Sequence, residues 1–556
     1  MPSSHDVLRI ALAQLNPILG DIPGNAAMAR NARAEAARLG ADLVLFPELF
    51  LVGYPPEDLV LKPSFIRASK EATEMLAAET ADGGPAMLLG TPWPGESRPH
   101  NSVALLHGGK VEAVRHKVDL PNYGVFDEKR VFAPGPMPGP VNFKDVRIGV
   151  PVCEDIWGED VCECLAETGA EMLLVPNGSP YSRTKMDTRV RLSVSRVAET
   201  GLPLVYLNQV GGQDELVFDG ASFVLNRGGA MALQMPAWES SIALTEWTRG
   251  PDGWHCAPGE RVLLEESEAA AYRACVLGLR DYVNKNGFPG VVLGMSGGID
   301  SALTAAMAVD AFGPERVHCV MMPYRFTGNE SLSDAAACAQ ALGARYEIVP
   351  IHAAVEGLEA SLTPLFANLS RDITEENLQS RARGTLLMAI SNKFGPMVVT
   401  TGNKSEVSVG YATLYGDMNG GFNPIKDLYK MQVYALSRFR NGQRPRDCMG
   451  PEGPVIPENI ITKAPTAELR ENQKDQDSLP PYEVLDDILE CLVENEMPLA
   501  DIVARGHAAE TVKRVERLLY LAEYKRRQAA PGVKITDRNF GRDRRYPITN
   551  RFREGL

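Results

Sequence analysis

The stretch GVVLGMSGGIDSALTAA, residues 290–306, decides the architecture of the second half of the chain. It opens with an apolar β-branched run, passes through a serine- and glycine-rich turn at residues 294–298, and continues into an alanine-rich helix. A strand that enters a helix through glycines is the βα unit of a parallel sheet. Gly297 and Gly298 let backbone N–H groups face an anion, and the helix start adds partial positive charge. Ser296 and Ser301 contribute hydroxyl donors. The turn lacks the G-x-x-x-x-G-K-S/T spacing of a Walker A loop. A plain βα turn also ends many strands, so the surrounding text must carry the reading.

Outward from this turn the same alternation continues. Helices are expected at 265–286, 301–312, 331–342 and 377–394, and strands at 290–294, 317–322, 346–350 and 397–401. Toward the N-terminus, RGPDGWHCAPGE at 249–260 turns polar and rich in glycine and proline. Before it lies a second α/β pattern, with strands expected at 7–15, 42–46, 86–90, 103–106, 111–116, 147–152, 172–175 and 204–208 and a helix near 25–40. These readings predict a domain over 1–250, a linker over 251–264 and a domain over 265–556. A chain of 556 residues is too long for one core.

Bulk properties narrow the classes. The hydrophobic fraction of 44% and charged fraction of 23% are those of ordinary soluble proteins. No apolar run is long enough to span a bilayer, and the start Met1-Pro-Ser-Ser-His-Asp lacks a secretory pattern. Nine scattered cysteines argue for a reducing cytoplasm and against a disulfide framework. The net charge of −14 disfavours a general nucleic-acid binder, although Lys525–Arg553 holds ten Lys/Arg against two Asp. That tail is either a solvated basic segment or a phosphate-contacting one.

In the first half, three segments place reactive side chains just past expected strands. They are LVLFPELF with Glu48, AVRHKVDLPNYGVFDEKRVF with Lys117, Tyr123 and Glu128, and RIGVPVCEDIWGED with Cys153. Ligands of open α/β sheets gather at the carboxyl ends of strands, so these groups are expected to converge. The chemistry is coherent. A helix start and a nearby ammonium would lower the Cys153 pKa. Glu48 would take the thiol proton and return it to departing ammonia. Lys117 would stabilise the tetrahedral oxygen, and Glu128 would orient Lys117 or handle protons. Singly, each has a structural explanation: a buried cysteine is a small hydrophobe, and a terminal Glu or Lys is solvated. Cys162 and Cys164 lack the spacing and the histidine of a metal site.

Together, FPEL, KVDLPNYGVFDEKRVF and CEDIW occur in the order found in the carbon–nitrogen hydrolase (nitrilase) superfamily, which residues 5–245 resemble. The resemblance implies a four-layer α-β-β-α sandwich with a Glu48–Lys117–Cys153 triad. PNGSPYSRTK at 176–185 resembles the family's glutamine-recognition stretch and implies glutamine contacts from Ser179, Lys185 and Tyr123.

The turn SGGIDS after an apolar strand resembles the ATP pyrophosphatase (adenine nucleotide α-hydrolase-like) superfamily, which has a doubly wound parallel sheet. That family holds the β- and γ-phosphates while a substrate oxygen attacks the α-phosphate. Asp300, in the turn, and Glu406, in VVTTGNKSEVSVGYATLYGD, look like magnesium ligands, and Lys404 and Lys430 are available for phosphate charge. With ENLQSRARGTLLMAISNK, DLYKMQVY, KAPTAEL and EYKRRQ added, nearly the whole chain resembles the bacterial glutamine-dependent NAD(+) synthetase family. The resemblance implies ATP contacts from Gly294, Met295, Ser296, Gly297, Gly298, Ile299, Asp300, Ser301 and Thr401. It implies deamido-NAD contacts from Asn377, Glu406, Asp417, Lys430 and Lys525, with magnesium at Asp300 and Glu406. One departure is Tyr524, where some members carry His. Ammonia channelling and a homo-oligomer are also implied. Competing readings are another ATP pyrophosphatase amidotransferase, such as one making GMP or asparagine, and, from a different class, a binding module that uses the basic tail on RNA.

Overall fold

A computed structural model describes residues 6–555. The chain divides into two compact units, Met1–Gln213 with Val217–Glu265, and Asp214–Leu216 with Glu266–Leu556.

The first unit holds two sheets. The seven-stranded sheet runs Gly253–Cys256, Ser241–Gly250, Val7–Gln14, Leu43–Leu45, Ala86–Trp93, His100–His107, Lys110–His116. The six-stranded sheet runs Met231–Gln234, Phe223–Leu225, Leu204–Asn208, Met172–Asn177, Val146–Gly149, Val141–Phe143. Side-chain alternation shows how they stack. Met172, Leu174, Val205 and Leu207 join Ile10, Leu45 and Leu88 in one core between the sheets. Their neighbours Leu173, Val175, Leu204 and Tyr206 face the other way and pack with Val161 and Leu165 of the helix Asp160–Glu167 and Val197 of the helix Lys185–Thr200. A period of two thus buries both faces of the same strands. The helices Ile22–Arg38 and Pro63–Glu79 pack together, and the latter covers Ala86–Trp93. The result is the α-β-β-α sandwich.

The expected linker over 251–264 is corrected in part. Ser241–Gly250 pairs antiparallel with Val7–Gln14 along its length, and Gly253–Cys256 folds back on it. Polar residues dominate this text because one face of each strand is exposed. The inward face carries Trp247, Trp254 and Cys256, all buried in the central core. The unit ends at Glu265.

In the second unit four parallel strands lie in the order Arg345–Ile348, Val317–Met321, Val291–Gly294, Met397–Val399. From Val291–Gly294 the chain steps to one side, and from Arg345–Ile348 it returns to the other edge. Right-handed crossovers then put the connecting helices on opposite faces. Ala382 and Leu387 of the helix Ile373–Phe394 pack on Val292, Val320 and Val398. The helix Ile299–Phe312 packs with Ser267–Lys285 and Lys430–Gly442. The sheet is doubly wound, and its strand order reverses between Val291–Gly294 and Met397–Val399, where a ligand crevice is expected. A separate helical core joins Tyr482–Val493 to Ala509–Leu521 through Leu485, Ile488, Leu489, Val512 and Val515. No helix among the described residues is long and apolar enough to cross a membrane.

Candidate functional site

In the first unit four strand ends meet. Glu48 follows Leu43–Leu45, Lys117 follows Lys110–His116, Cys153 follows Val146–Gly149 and Gly178 follows Met172–Asn177. Glu48 and Lys117 are wholly enclosed, with side-chain exposures of 0%. Lys117 Nζ donates to Glu48 Oε1 at 2.7 Å and to Glu128 Oε1 at 3.0 Å. Asn101 Nδ2 donates to Glu48 Oε1 at 2.7 Å, and the Gly178 N–H donates to Glu48 Oε2 at 2.8 Å. Gly178 must lack a side chain: a Cβ there would stand 2.8 Å from the Tyr54 ring. Tyr54 in turn donates its hydroxyl to Glu128 Oε1 at 2.9 Å.

Cys153 sits buried among these charges with φ +47°, a left-handed conformation that is strained for a non-glycine residue. Asp155 fixes its turn. One carboxylate oxygen accepts from the N–H groups of Val118 and Asp119 at 3.0 and 2.8 Å, the other from Val152 N–H at 2.9 Å. The loop after Lys117 is thereby pinned to the turn that bears the thiol.

The electrostatics correct one expectation. Burial pushes the Cys153 thiol well above its usual range and Glu48 adds to the rise, with Lys117 opposing. The helix over Cys153–Ile156 is a single 3₁₀ turn, too short to supply the expected dipole. The resting thiol is therefore protonated, and a base must take its proton. Burial opposes the Lys117 charge, but Glu128 and Glu48 outweigh it and hold the ammonium charged. Burial raises Glu128 against the pull of Lys117.

The expected glutamine-side residues lie around this centre. Tyr123, 48% exposed, donates its hydroxyl to Glu154 Oε1 at 2.9 Å. Lys185 opens the helix Lys185–Thr200 and stands 4.2 Å over the Trp157 ring. Ser179 is buried, its hydroxyl accepting from Arg189 Nε at 3.1 Å. Arg189 also pairs with Asp219 at 2.7 Å and holds the carbonyls of Ser179 and Pro180. Sequence reasoning missed Tyr54, Asn101, Asp155 and Arg189, because each acts through a partner far along the chain.

In the second unit a cavity of about 300 Å³ opens at the reversal point of the sheet. It is lined by Gly294, Met295, Ser296, Gly298, Ile299, Asp300 and Ser301 from one strand end and by Thr401 and Glu406 from the other. Gly297 completes the turn at φ +79°, and a Cβ there would lie 2.4 Å from Ser331 O. Only glycine fits. The turn is laced by the Ser301 hydroxyl to Gly298 O at 2.9 Å and by Ser296 Oγ to Ser301 Oγ at 3.1 Å.

Lys430 Nζ donates to Glu406 Oε1 at 3.0 Å and to Asp300 Oδ2, so the two carboxylates converge on one ammonium. Burial opposes the Lys430 charge, and Asp300 and Glu406 more than restore it. Burial raises Glu406. Asn403 organises both strand ends, its Nδ2 donating to Asp300 Oδ1 at 2.8 Å and its Oδ1 accepting from Glu406 N–H at 3.0 Å. Asp417 also lines the cavity and accepts from Thr413 N–H at 2.7 Å.

Some expected residues do other work. Lys404 is wholly buried, paired with Asp427 at 2.6 Å and with Glu494, and donates to Thr536 at 2.7 Å. It is a structural cation, unavailable to phosphate. Asn377 accepts from Thr413 Oγ1 at 3.0 Å, and Lys525 Nζ donates to the carbonyls of Gly410 and Ala412 at 2.8 and 2.6 Å. Both brace the segment 410–413 and stand outside the cavity lining. Much of the basic tail is likewise engaged internally: Arg526 and Arg544 with Glu523, Lys534 with Asp543. Arg383 and Lys463, absent from the sequence-based expectations, also line the cavity and lie inside the motifs ENLQSRARG and KAPTAEL.

The sequence profile of the carbon–nitrogen hydrolase family matches residues 9–250, and that of NAD synthase matches 271–529. One chain thus joins an amide-cleaving fold to a nucleotide-handling one, the makeup of an amidotransferase. A glutamine-dependent NAD(+) synthetase of Rhodobacter capsulatus is 53% identical over 99% of both chains, and one of Xanthomonas campestris is 48% identical over 98% and 97%. The solved structure of glutamine-dependent NAD+ synthetase from Acinetobacter baumannii, a complex with ADP, is 44% identical. It superimposes with a TM-score of 0.77, covering 98% of this chain and 99% of that one. The chain belongs to the glutamine-dependent NAD(+) synthetase family.

Proposed function

We propose that this chain converts deamido-NAD(+), ATP, glutamine and water to NAD(+), AMP, diphosphate and glutamate. The observation that carries this is the presence, on one chain, of a buried Glu48–Lys117–Cys153 group and a glycine-turn cavity with convergent carboxylates.

In the first unit Glu48 takes the thiol proton as Cys153 Sγ attacks the carboxamide carbon of glutamine. Lys117 stabilises the oxyanion, and Glu48 returns the proton to the leaving ammonia. Water then cleaves the thioester and releases glutamate. Tyr123, Ser179 and Lys185 would hold the amino-acid end of glutamine. Glu128, whose second oxygen is buried without a hydrogen-bond partner among the described residues, has capacity to accept a proton or an N–H from the reacting group.

In the second unit the N–H groups of residues 294–301 and the Thr401 hydroxyl would hold the ATP phosphates. A carboxylate oxygen of deamido-NAD attacks the α-phosphorus and diphosphate leaves. Ammonia then attacks the carbonyl carbon and AMP leaves. Charge supports a divalent cation here: five carboxylates line the cavity, from Asp300, Glu406, Asp417, Glu468 and Asp475, against three cationic side chains. A polyanion bound among them needs further positive charge. Two carboxylates that already converge on one cation fit magnesium, which prefers one or two carboxylates plus phosphate oxygens and water. Asp300 and Glu406 would hold it, and it would neutralise charge on the departing diphosphate. Asp417 and the segment braced by Asn377 and Lys525 would face deamido-NAD.

Ammonia is a nucleophile only while unprotonated, so its transfer calls for a protected path. Assembly of copies of the chain is part of the same reading. A reducing cytoplasm suits nine free thiols, and internal pairing of the basic tail favours small-molecule substrates over nucleic acid. The test is to supply glutamine, ATP, magnesium and deamido-NAD and measure NAD(+), AMP and glutamate. Equal yields of all three, abolished by chelation, are expected. Product with XMP or aspartate in place of deamido-NAD would overturn the assignment of acceptor.

A further inference from the structure

Three cationic side chains line the cavity of the second unit: Arg383, Lys430 and Lys463. Two are already neutralised. Lys430 is held by Asp300 and Glu406, and Lys463 Nζ lies 2.8 Å from Asp334 Oδ2. Arg383 differs. Its Nε donates to Met322 O at 3.0 Å, and its two terminal nitrogens have no protein acceptor among the described residues. Glu468 and Asp417 are near enough to stabilise its charge, yet neither forms an ion pair with it.

The position is equally specific. Met322 follows Val317–Met321, the strand hydrogen-bonded beside Val291–Gly294. A Cβ on Gly294 would stand 3.3 Å from the Met322 side chain and 3.5 Å from Leu387, one helical turn beyond Arg383. Arg383 therefore stands at the mouth of the glycine turn, anchored through Nε with its fork free. Burial lowers its pKa to about 10, so it stays charged at neutral pH. A largely enclosed guanidinium with no ion-paired carboxylate among the described residues is unfavourable in the free protein. Its planar fork suits two oxygens of one phosphate better than an ammonium would.

We propose that Arg383 binds the phosphate chain of ATP, its terminal nitrogens donating to non-bridging oxygens beside the glycine turn. This rests on the proposed ligase reading and adds a binding residue to it. The same chemistry would recognise the pyrophosphate of a dinucleotide, but the Met322 anchor puts the fork at the turn, which favours ATP.

The test uses the full chain with ammonium as nitrogen source, so that the first unit is not required. ATP binding without turnover is measured by calorimetry, and KM is measured for ATP and for deamido-NAD separately. Arg383→Gln is expected to weaken ATP binding and raise KM for ATP by about tenfold to a hundredfold, the effect of a lost charge-assisted bond. KM for deamido-NAD should hold within about threefold, well below that effect. Arg383→Lys should recover part of the loss, and it carries the test if the glutamine variant unfolds. Unchanged ATP affinity in both variants overturns the inference, as does a loss confined to deamido-NAD. Absence of NAD(+) formation by the parent enzyme would instead refute the ligase reading itself, so the two failures are distinct.

Discussion

Replacing Glu48 with glutamine keeps the shape of the side chain and removes its charge, which tests the first site at its centre. Glu48 accepts hydrogen bonds at both oxygens: Oε1 from Lys117 Nζ and Asn101 Nδ2, both at 2.7 Å, and Oε2 from Gly178 N–H at 2.8 Å. An amide cannot satisfy all three. Turned one way, its NH₂ faces an ammonium and another amide; turned the other, it faces a backbone N–H. The second orientation is milder, yet among the described residues it leaves Lys117, fully enclosed, with Glu128 as its only carboxylate partner. Removing one partner of a buried pair typically destabilises by about 3–5 kcal/mol. Because Glu128 remains, the lower figure applies, and for a unit of this size about 3 kcal/mol corresponds to a fall of about 6–12 °C in its thermal transition. Loss of the proton acceptor should reduce glutaminase turnover by about 10²–10⁴. Glutamate release and ammonium-driven NAD(+) synthesis are assayed on one preparation, with calorimetric melting alongside. Loss of the first with retention of the second is expected. Glutaminase within about tenfold of the parent and an unmoved transition would show that Glu48 is neither base nor buried counter-ion.

Three further outcomes are expected. Cys153→Ala should eliminate glutamine-driven synthesis and leave ammonium-driven synthesis largely intact; equal loss of both would break the two-site division of labour. Gly297→Ala places a methyl 2.4 Å from Ser331 O at φ +79°, adding about 1–2 kcal/mol of backbone strain before any clash. The turn must shift, so ATP binding should weaken while glutamate release from glutamine stays near normal, and normal ATP affinity would refute the fit. For pH dependence, burial lowers His116 to about 4, with His100 and Arg115 adding to the fall. A histidine depressed in the folded state favours folding above its ordinary pKa, and that benefit is lost as pH drops from about 6.5 through 4. His116→Asn should flatten the decline in melting temperature across this window, and an unaltered slope would assign the acid sensitivity elsewhere.

The fold was legible in proportion to how local its signals are. The strands at 7–14, 204–208 and 291–294 and the helix at 299–312 stand close to where their periodicity put them. Antiparallel Ser241–Gly250 and Gly253–Cys256 escaped notice because one face is wet, and the inward Trp247 and Trp254 are too few to register against glycine, proline and charge. Lys404 shows the same limit in the site. Beside Glu406 it reads as a phosphate cation, and only the fold brings Asp427, Glu494 and Thr536 around it. The Cys153 pKa is not legible locally, because the ammonium that lowers it is outweighed by burial and the Glu48 charge, which only the fold supplies.

By itself the sequence determined which reactive groups this chain owns and where each lies relative to a strand end, since period, glycine and proline act over a few residues. It also carried the family, through motifs in fixed order. Tertiary structure alone decided which of those groups share an environment: Asp155 tying the thiol turn to the Lys117 loop, Lys430 bridging Asp300 and Glu406, Arg383 left without an ion pair among the described residues. Burial and charge pairing are set by residues tens to hundreds of positions apart, and no local pattern encodes them.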